Sequence, residues 1–120
     1  MNIISKILIV VIALLHLYFL WLEMFAWTTA AKKVFRTFPE DLFEKTKTLA
    51  ANQGLYNGFL SAGLLWSLAI SDENWSRNIV IFFLCCVAVA GIFGAYSASK
   101  KIFYIQALPA IITIITIIFM

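Results

Sequence analysis

Two ionisable side chains, His16 and Glu23, lie inside the long apolar segment that begins the chain. They are seven residues apart, so in a helix they share one face and are separated by about 10 Å along the axis. An ionisable group on an apolar spanning helix faces the protein interior and is by default a functional candidate. Such a pair could transfer protons as acid and base, or hold the polar group of a ligand. Glu23 and His16 are therefore the candidate catalytic residues.

Four amide side chains and one tryptophan are predicted to lie at about the same height as the Glu23 carboxyl. Trp27 follows Glu23 by one helical turn, and the amides stand near the start of two later apolar segments. Amide groups donate and accept hydrogen bonds, so they could satisfy a buried carboxyl or hold a polar ligand group. We expect Asn57, Gln53 or Gln106 to donate to Glu23. The predicted ligand-binding residues are Glu23, Trp27, Asn52, Gln53, Asn57 and Gln106.

Four apolar segments must position these groups, over residues 3–27, 50–70, 78–98 and 102–119. Each is about long enough to cross a hydrocarbon core of roughly 30 Å as a helix. Hydrophobic residues make up 63% of the 120 residues and charged residues 12%, whereas a soluble domain carries about a quarter charged residues. The sequence therefore predicts one all-α domain over residues 1–120, an integral membrane bundle of four transmembrane helices.

The basic residues at the segment ends predict the orientation of these helices. The connections after the first and third segments carry seven of the nine Lys and Arg residues. Connections rich in Lys and Arg remain in the cytoplasm. Both termini are therefore predicted to be extracytoplasmic, and the expected partner of the chain is the lipid bilayer. The basic residues fall where topology alone requires them, so no nucleic-acid partner is expected.

Small residues at four-residue spacing predict close helix packing. Gly54 and Gly58 form one such stripe, and Gly91 and Ala95 begin another. Small side chains let helix backbones approach each other in lipid, either inside one chain or between two chains. The stripes are expected to pack inside the bundle, with a homodimer through one of them as the alternative. Pro109 is expected to kink the fourth helix.

Metal and cofactor chemistry find no support in the sequence. The two cysteines, Cys85 and Cys86, are adjacent in an apolar run and lack the spacing of metal ligands or of a disulfide framework. No phosphate-binding glycine loop and no nucleophile–base pair stand out. No metal and no cofactor are therefore expected.

Three stretches of the sequence carry a family resemblance. They are "EMFAW" at residues 23–27, "ANQGLYNGFLSAGLLW" at 51–66 and "VAGIFGAYSASKKIFYIQALPA" at 89–110. In this order and spacing, over nearly the whole chain, they resemble small bacterial four-helix membrane proteins known as domain of unknown function 1304. The resemblance implies a four-span, multi-pass protein of the bacterial cytoplasmic (inner) membrane, and it transfers no activity.

Three functions fit the polar layer around Glu23. The first is binding or translocation of a small, mostly apolar molecule. The second is a membrane enzyme, in which Glu23 and His16 act as acid and base on a lipid-soluble substrate in an isomerase-like reaction. The third is a structural or interaction subunit whose polar layer only fixes helix packing. The sequence leaves open whether the chain is an enzyme.

Overall fold

The computed structural model describes residues 1–120 as an all-α chain, in which 83% of the residues are helical and no strand occurs. The helices are α1 Ile3–Met24, α2 Ala30–Val34, α3 Glu40–Lys45, α4 Lys47–Ala69, α5 Glu73–Ser97 and α6 Leu108–Phe119, with a π-helical turn at Phe103–Ala107 directly before α6. The predicted all-α class is confirmed. The four long apolar segments correspond to α1, α4, α5 and the π turn with α6.

Two of these helices, α1 and α5, are long and apolar enough to cross a membrane. Only 28% of the most apolar stretch of each is buried inside the chain, so most of this apolar surface faces outward. The apolar helix over Phe103–Phe119 is shorter, and α4 does not reach the same apolar character. Length and composition thus identify two candidate spans where the sequence predicts four, and the four-span bundle stays a prediction.

The chain divides into two compact units. The terminal unit consists of Met1–Ala13 and Leu60–Met120, and the loop unit consists of Leu14–Phe59. The boundary falls within α1 and within α4, so each of these helices contributes one part to each unit. The loop unit also contains α2 and α3, and the terminal unit contains α5, the π turn and α6.

The terminal unit is built around aliphatic side chains from all four of its helical segments. Its buried hydrophobic residues are Ile9, Ile12, Ala13, Leu64, Val80, Leu84, Val87, Ala88, Ala110 and Ile117. Branched aliphatic side chains and alanine fill such an interior without introducing polar atoms that need partners. This core contains no ionisable group.

Hydroxyl groups join the helices of the terminal unit. Ser61 of α4 donates to the carbonyl oxygen of Ala13 in α1 at 2.7 Å, and Ser76 of α5 donates to the carbonyl oxygen of Ser67 in α4 at 2.6 Å. The hydroxyls of Ser5 in α1 and Thr116 in α6 lie 2.8 Å apart. Interhelical bonds of this kind supplement the close packing of the helices.

The π turn ends two residues before Pro109, where the sequence predicts a kink. Proline has no N–H, and its ring clashes with the carbonyl of the residue four positions earlier. The chain responds by widening the preceding turn, in which the Leu108 N–H donates to the carbonyl oxygen of Phe103. Gly91 of α5 lies against this turn, and a Cβ built on it would meet the backbone nitrogen of Ala107 at 2.5 Å. Only glycine therefore permits this close backbone contact.

An aromatic cluster forms the centre of the loop unit. The Trp27 ring lies 5.7, 5.9 and 5.1 Å from the ring centroids of Phe35, Phe38 and Phe43. The indole N–H of Trp27 donates to the hydroxyl of Thr46 at 3.0 Å. This bond joins the chain after α1 to the residue between α3 and α4. The first connection is consequently a packed structure with its own small core.

Candidate functional site

The Glu23 carboxyl and the Asn57 amide form the polar centre of the loop unit. The side-chain N–H of Asn57 donates to Oε1 of Glu23 at 2.5 Å, and each residue is 8% exposed. Glu23 lies in the last turn of α1, and Asn57 lies in the middle of α4. The expected hydrogen bond from Asn57 to Glu23 is therefore present. A carboxyl accepting an amide N–H is the standard way to satisfy both groups away from water.

Glycine in α4 determines how closely the two helices approach beside this pair. A Cβ on Gly54 would lie 2.7 Å from Cγ of Met24 and 3.0 Å from Cβ of Glu23. A Cβ on Gly58 would lie 2.7 Å from Cδ1 of Leu20. The first predicted small-residue stripe thus packs inside the chain, against the face of α1 that carries Glu23. A homodimer through the same stripe stays untested.

One oxygen of the Glu23 carboxyl remains without a hydrogen bond from the chain. A carboxyl offers about four acceptor positions on two oxygens, and within the chain Glu23 accepts only the Asn57 bond, on Oε1. Glu23 as a whole keeps 8% of its surface accessible. The arrangement can therefore hold a donor group from outside the chain while Asn57 fixes the carboxyl.

His16 is also part of the loop unit and is completely buried. Its ring packs edge-on against Phe19 with the centroids 5.4 Å apart. His16 and Glu23 lie on the same helix at the predicted seven-residue spacing. The rise of about 10 Å between them separates the two groups by about two turns of α1.

The remaining predicted ligand-binding residues are distributed differently from Glu23 and Asn57. Asn52 and Gln53 are exposed on α4, and neither donates to Glu23. Gln106 belongs to the terminal unit, where its Cβ would lie 2.9 Å from a Cβ on Gly91. Trp27 is partly buried and lies in the aromatic cluster. Of the amides, only Asn57 is brought to the carboxyl.

Thr46 is a residue of the loop unit that no sequence pattern singled out. Its hydroxyl accepts the indole N–H of Trp27 and donates to the carbonyl oxygen of Leu42 at 2.8 Å. Thr46 stands in a polar stretch between two lysines, where a threonine carries no distinguishing signal. Its role depends on a contact with a residue 19 positions earlier, which a local pattern does not reveal.

Comparison with known proteins places the chain in a family. The family model described as "Protein of unknown function (DUF1304)" matches residues 10–118. The chain belongs to this family. The DUF1304 resemblance carried by the three sequence stretches is thus confirmed. Glu23 and Asn57 both lie within the matched range.

The DUF1304 chain also matches one curated relative over almost its full length. The uncharacterized protein YpaA of Lactococcus lactis subsp. lactis (strain IL1403) is 31% identical over 118 residues, which cover 97% of this chain and 98% of the relative. No solved structure matches the chain. Function must therefore be inferred from the chemistry of the residues themselves.

Proposed function

We propose that this DUF1304 chain is a four-span protein of the bacterial cytoplasmic membrane that binds or translocates a small, mostly apolar molecule at Glu23. The observation that carries the proposal is the Glu23 carboxyl, which is buried, held by Asn57 on one oxygen and free of chain donors on the other. Both termini are extracytoplasmic in this proposal, as the distribution of basic residues predicts.

The membrane placement draws support from the outward-facing apolar surface of α1 and α5. A helix of a soluble core is mostly buried, whereas the apolar stretches of these two helices are 28% buried. Exposed side chains include Val11, Leu14, Phe82, Val89 and Phe93. An apolar patch of this extent is unfavourable in water and suits a hydrocarbon environment. Hydroxyl bonds from α4 and α6 to their neighbouring helices support the same membrane-embedded assembly.

The chemistry of Glu23 defines the class of molecule. A buried carboxyl binds most strongly to a group that supplies an N–H or O–H, such as an amine or an alcohol. Leu20 and Met24, which flank it on α1, offer only apolar contacts. A molecule reaching Oε2 from the lipid phase would place its donor group on the carboxyl and its apolar part against aliphatic side chains. Intramembrane carboxyls mark pathways of substrates and protons in other membrane proteins.

A lipid-soluble carbodiimide tests whether an apolar molecule can reach Glu23. Dicyclohexylcarbodiimide should modify Glu23 of the reconstituted chain, as detected by peptide mass spectrometry, and Glu23→Gln should lose that modification. Decylamine should slow the labelling of Glu23. Glu44→Gln is the matched control, because Glu44 is an exposed acid of the same unit, and it should leave labelling at Glu23 unchanged. Labelling confined to exposed acids, or insensitive to decylamine, would exclude the proposed site.

A structural role is the second candidate, and the packing of Gly54 favours it. The contacts of a Gly54 Cβ with Met24 and Glu23 leave no space between the two helices at this point. In that case the Glu23–Asn57 bond only fixes the pairing of α1 with α4. Glu23→Gln separates the two candidates: the binding role predicts a folded chain that no longer takes decylamine. The structural role predicts that Glu23→Gln lowers the stability of the chain and leaves its behaviour toward decylamine the same as that of the wild type.

A further inference from the structure

The segment after α2 exposes cationic and apolar side chains side by side. Lys33, Val34, Phe35 and Arg36 are all exposed, and Val34 and Phe35 keep 49% and 38% of their surface accessible. An apolar side chain beside a cation is the pattern of a segment that lies in the interface between water and lipid. The apolar groups enter the acyl boundary and the cations remain at the level of the phosphates.

Ion pairing within the loop unit leaves these cations uncompensated. Lys32 pairs with Glu40 at 3.6 Å, and Lys45 pairs with Asp41 at 3.6 Å. Neither Lys33 nor Arg36 takes part in an ion pair. The carboxylates nearest to them in sequence are thus already engaged. Lys33 and Arg36 are free to neutralise an external anion.

The backbone and the aromatic cluster shape this segment before any ligand arrives. The Arg36 Nε–H donates to the carbonyl oxygen of Lys33 at 3.0 Å. This bond uses one of five guanidinium donors and leaves the terminal nitrogens available for a phosphate. Phe35 packs against the Trp27 ring, with the ring centroids 5.7 Å apart. Contacts within the chain therefore hold the segment that carries the two cations.

From these contacts we infer that Lys33, Val34, Phe35 and Arg36 form a docking surface for anionic phospholipid headgroups. Lys33 and Arg36 bind the headgroup phosphate, and Val34 and Phe35 contact the adjoining acyl region. A negatively charged phosphate group is common to the lipid headgroup and to free phosphate, but only a lipid also contacts the two apolar side chains. This inference rests on the membrane placement proposed above and is independent of ligand binding at Glu23.

Lipid selectivity of the full chain in vesicles tests this surface. The chain is reconstituted into phosphatidylcholine vesicles containing trace spin-labelled phosphatidylglycerol, and the motionally restricted fraction is compared with that of spin-labelled phosphatidylcholine. The wild type should prefer the anionic lipid, and Lys33→Gln/Arg36→Gln should lower this preference by at least about twofold, since each cation near an anionic surface strengthens its attraction severalfold. Val34→Ser should lower it to a smaller extent.

A charge-matched variant serves as the control. Lys32→Gln/Lys45→Gln removes the same charge from the same unit but from paired positions, so it should retain most of the preference. Equal losses in the two double variants, or no loss in either, would overturn the assignment. Displacement of the labelled lipid by inorganic phosphate or by polyglutamate at equal charge would also overturn it, in favour of a free anion or an acidic protein segment.

The same experiment separates this inference from the proposed function. A chain that fails to enter vesicles contradicts both the membrane placement and the lipid surface. A chain that enters vesicles without preferring the anionic lipid contradicts the lipid surface alone. Labelling of Glu23 by the carbodiimide is unaffected in that second case.

Discussion

In the terminal unit every buried polar side chain is a hydroxyl, whereas in the loop unit the buried polar side chains are an imidazole, a carboxyl and an amide. The hydroxyls belong to Ser5, Ser61, Ser67, Ser76 and Thr113, and the others belong to His16, Glu23 and Asn57. Four of the five hydroxyls donate to backbone carbonyls. The polar centre of the loop unit is instead a bond between two side chains.

The hydroxyls of the terminal unit serve helix packing, whereas the buried polar groups of the loop unit have a chemistry that could also serve a ligand. A hydroxyl that donates to a backbone carbonyl needs no particular side chain as its partner. A carboxyl and an amide depend on each other, because removing either leaves a strongly polar group buried. Helix packing alone could be achieved with hydroxyls, as the terminal unit demonstrates. The loop unit therefore differs from the terminal unit in burying ionisable groups.

The largest effect is expected from removing the aromatic centre of the loop unit. Trp27→Ala should lower the free energy of unfolding by about 3–5 kcal/mol, because it deletes the ring between Phe35, Phe38 and Phe43. Trp75→Ala in the terminal unit is the control, since that side chain is 62% exposed, and it should cost well under about 1 kcal/mol. Reversible unfolding in mixed micelles measures both. Similar losses would mean that the first connection has no core of its own.

Close backbone packing in the terminal unit is expected to give the next largest effect. Gly91→Ala places a Cβ 2.5 Å from the backbone nitrogen of Ala107, which cannot rotate away, so about 2–3 kcal/mol should be lost. Gly94→Ala meets only the Ile102 side chain, at 2.8 Å, and should cost less. The same unfolding measurement applies. A Gly91→Ala variant as stable as Gly94→Ala would contradict the contact between α5 and the π turn.

Breaking the Glu23–Asn57 bond should have an intermediate effect. Asn57→Leu leaves the carboxyl buried without its donor, which should cost about 1–3 kcal/mol. The double variant Glu23→Leu/Asn57→Leu should recover much of that loss, because both polar groups are then removed together. Asn52→Leu is the control on the exposed face of α4 and should change stability little. Additive losses in the double-mutant cycle would argue against a direct bond.

The smallest effect is expected from the hydroxyls of the terminal unit. Ser76→Ala removes the donor to the Ser67 carbonyl and should cost about 0.5–1 kcal/mol, the usual range for an interhelical hydrogen bond in a membrane protein. Ser97→Ala is a suitable control, since its hydroxyl bonds within α5 and is exposed. A loss for Ser76→Ala as large as that for Asn57→Leu would remove the contrast between the two units.

The long helices were largely predictable because apolar runs report helix length directly. The expected segment over residues 3–27 became α1 Ile3–Met24, and the segment over 50–70 became α4 Lys47–Ala69. α5 begins at Glu73, five residues before the predicted apolar segment over 78–98. Asp72 caps this helix by accepting the Trp75 N–H at 3.0 Å, and a count of apolar residues does not include the polar first turn that such a cap begins.

The approximate height of Glu23 and of the amides along their helices was predictable from the sequence. The direction in which each side chain points around its helix was not. The sequence included Asn57 among three possible amide donors to Glu23, although Glu23 lies in the last turn of α1 and Asn57 lies in the middle of α4. Gln53 lies at nearly the same height, but it precedes Gly54 by one residue and points about 100° away around α4. Gly54 faces α1, so Gln53 faces outward. The positions of the glycines indicate which face of α4 packs against α1, whereas position along the helix alone does not distinguish one amide from another.

The π turn at Phe103–Ala107 has a consequence for how length changes are tolerated. A single π turn holds one residue more than an α-helical turn over the same advance, so it behaves as an inserted residue absorbed within the helix. Removing one residue between 103 and 107 would therefore convert the π turn into an ordinary α-helical turn, and the residues on either side would keep their faces of the helix. Lys100 and Lys101, which precede the turn, would keep their direction relative to α6. The widened turn is thus the place in this apolar segment where the loss of one residue is best tolerated.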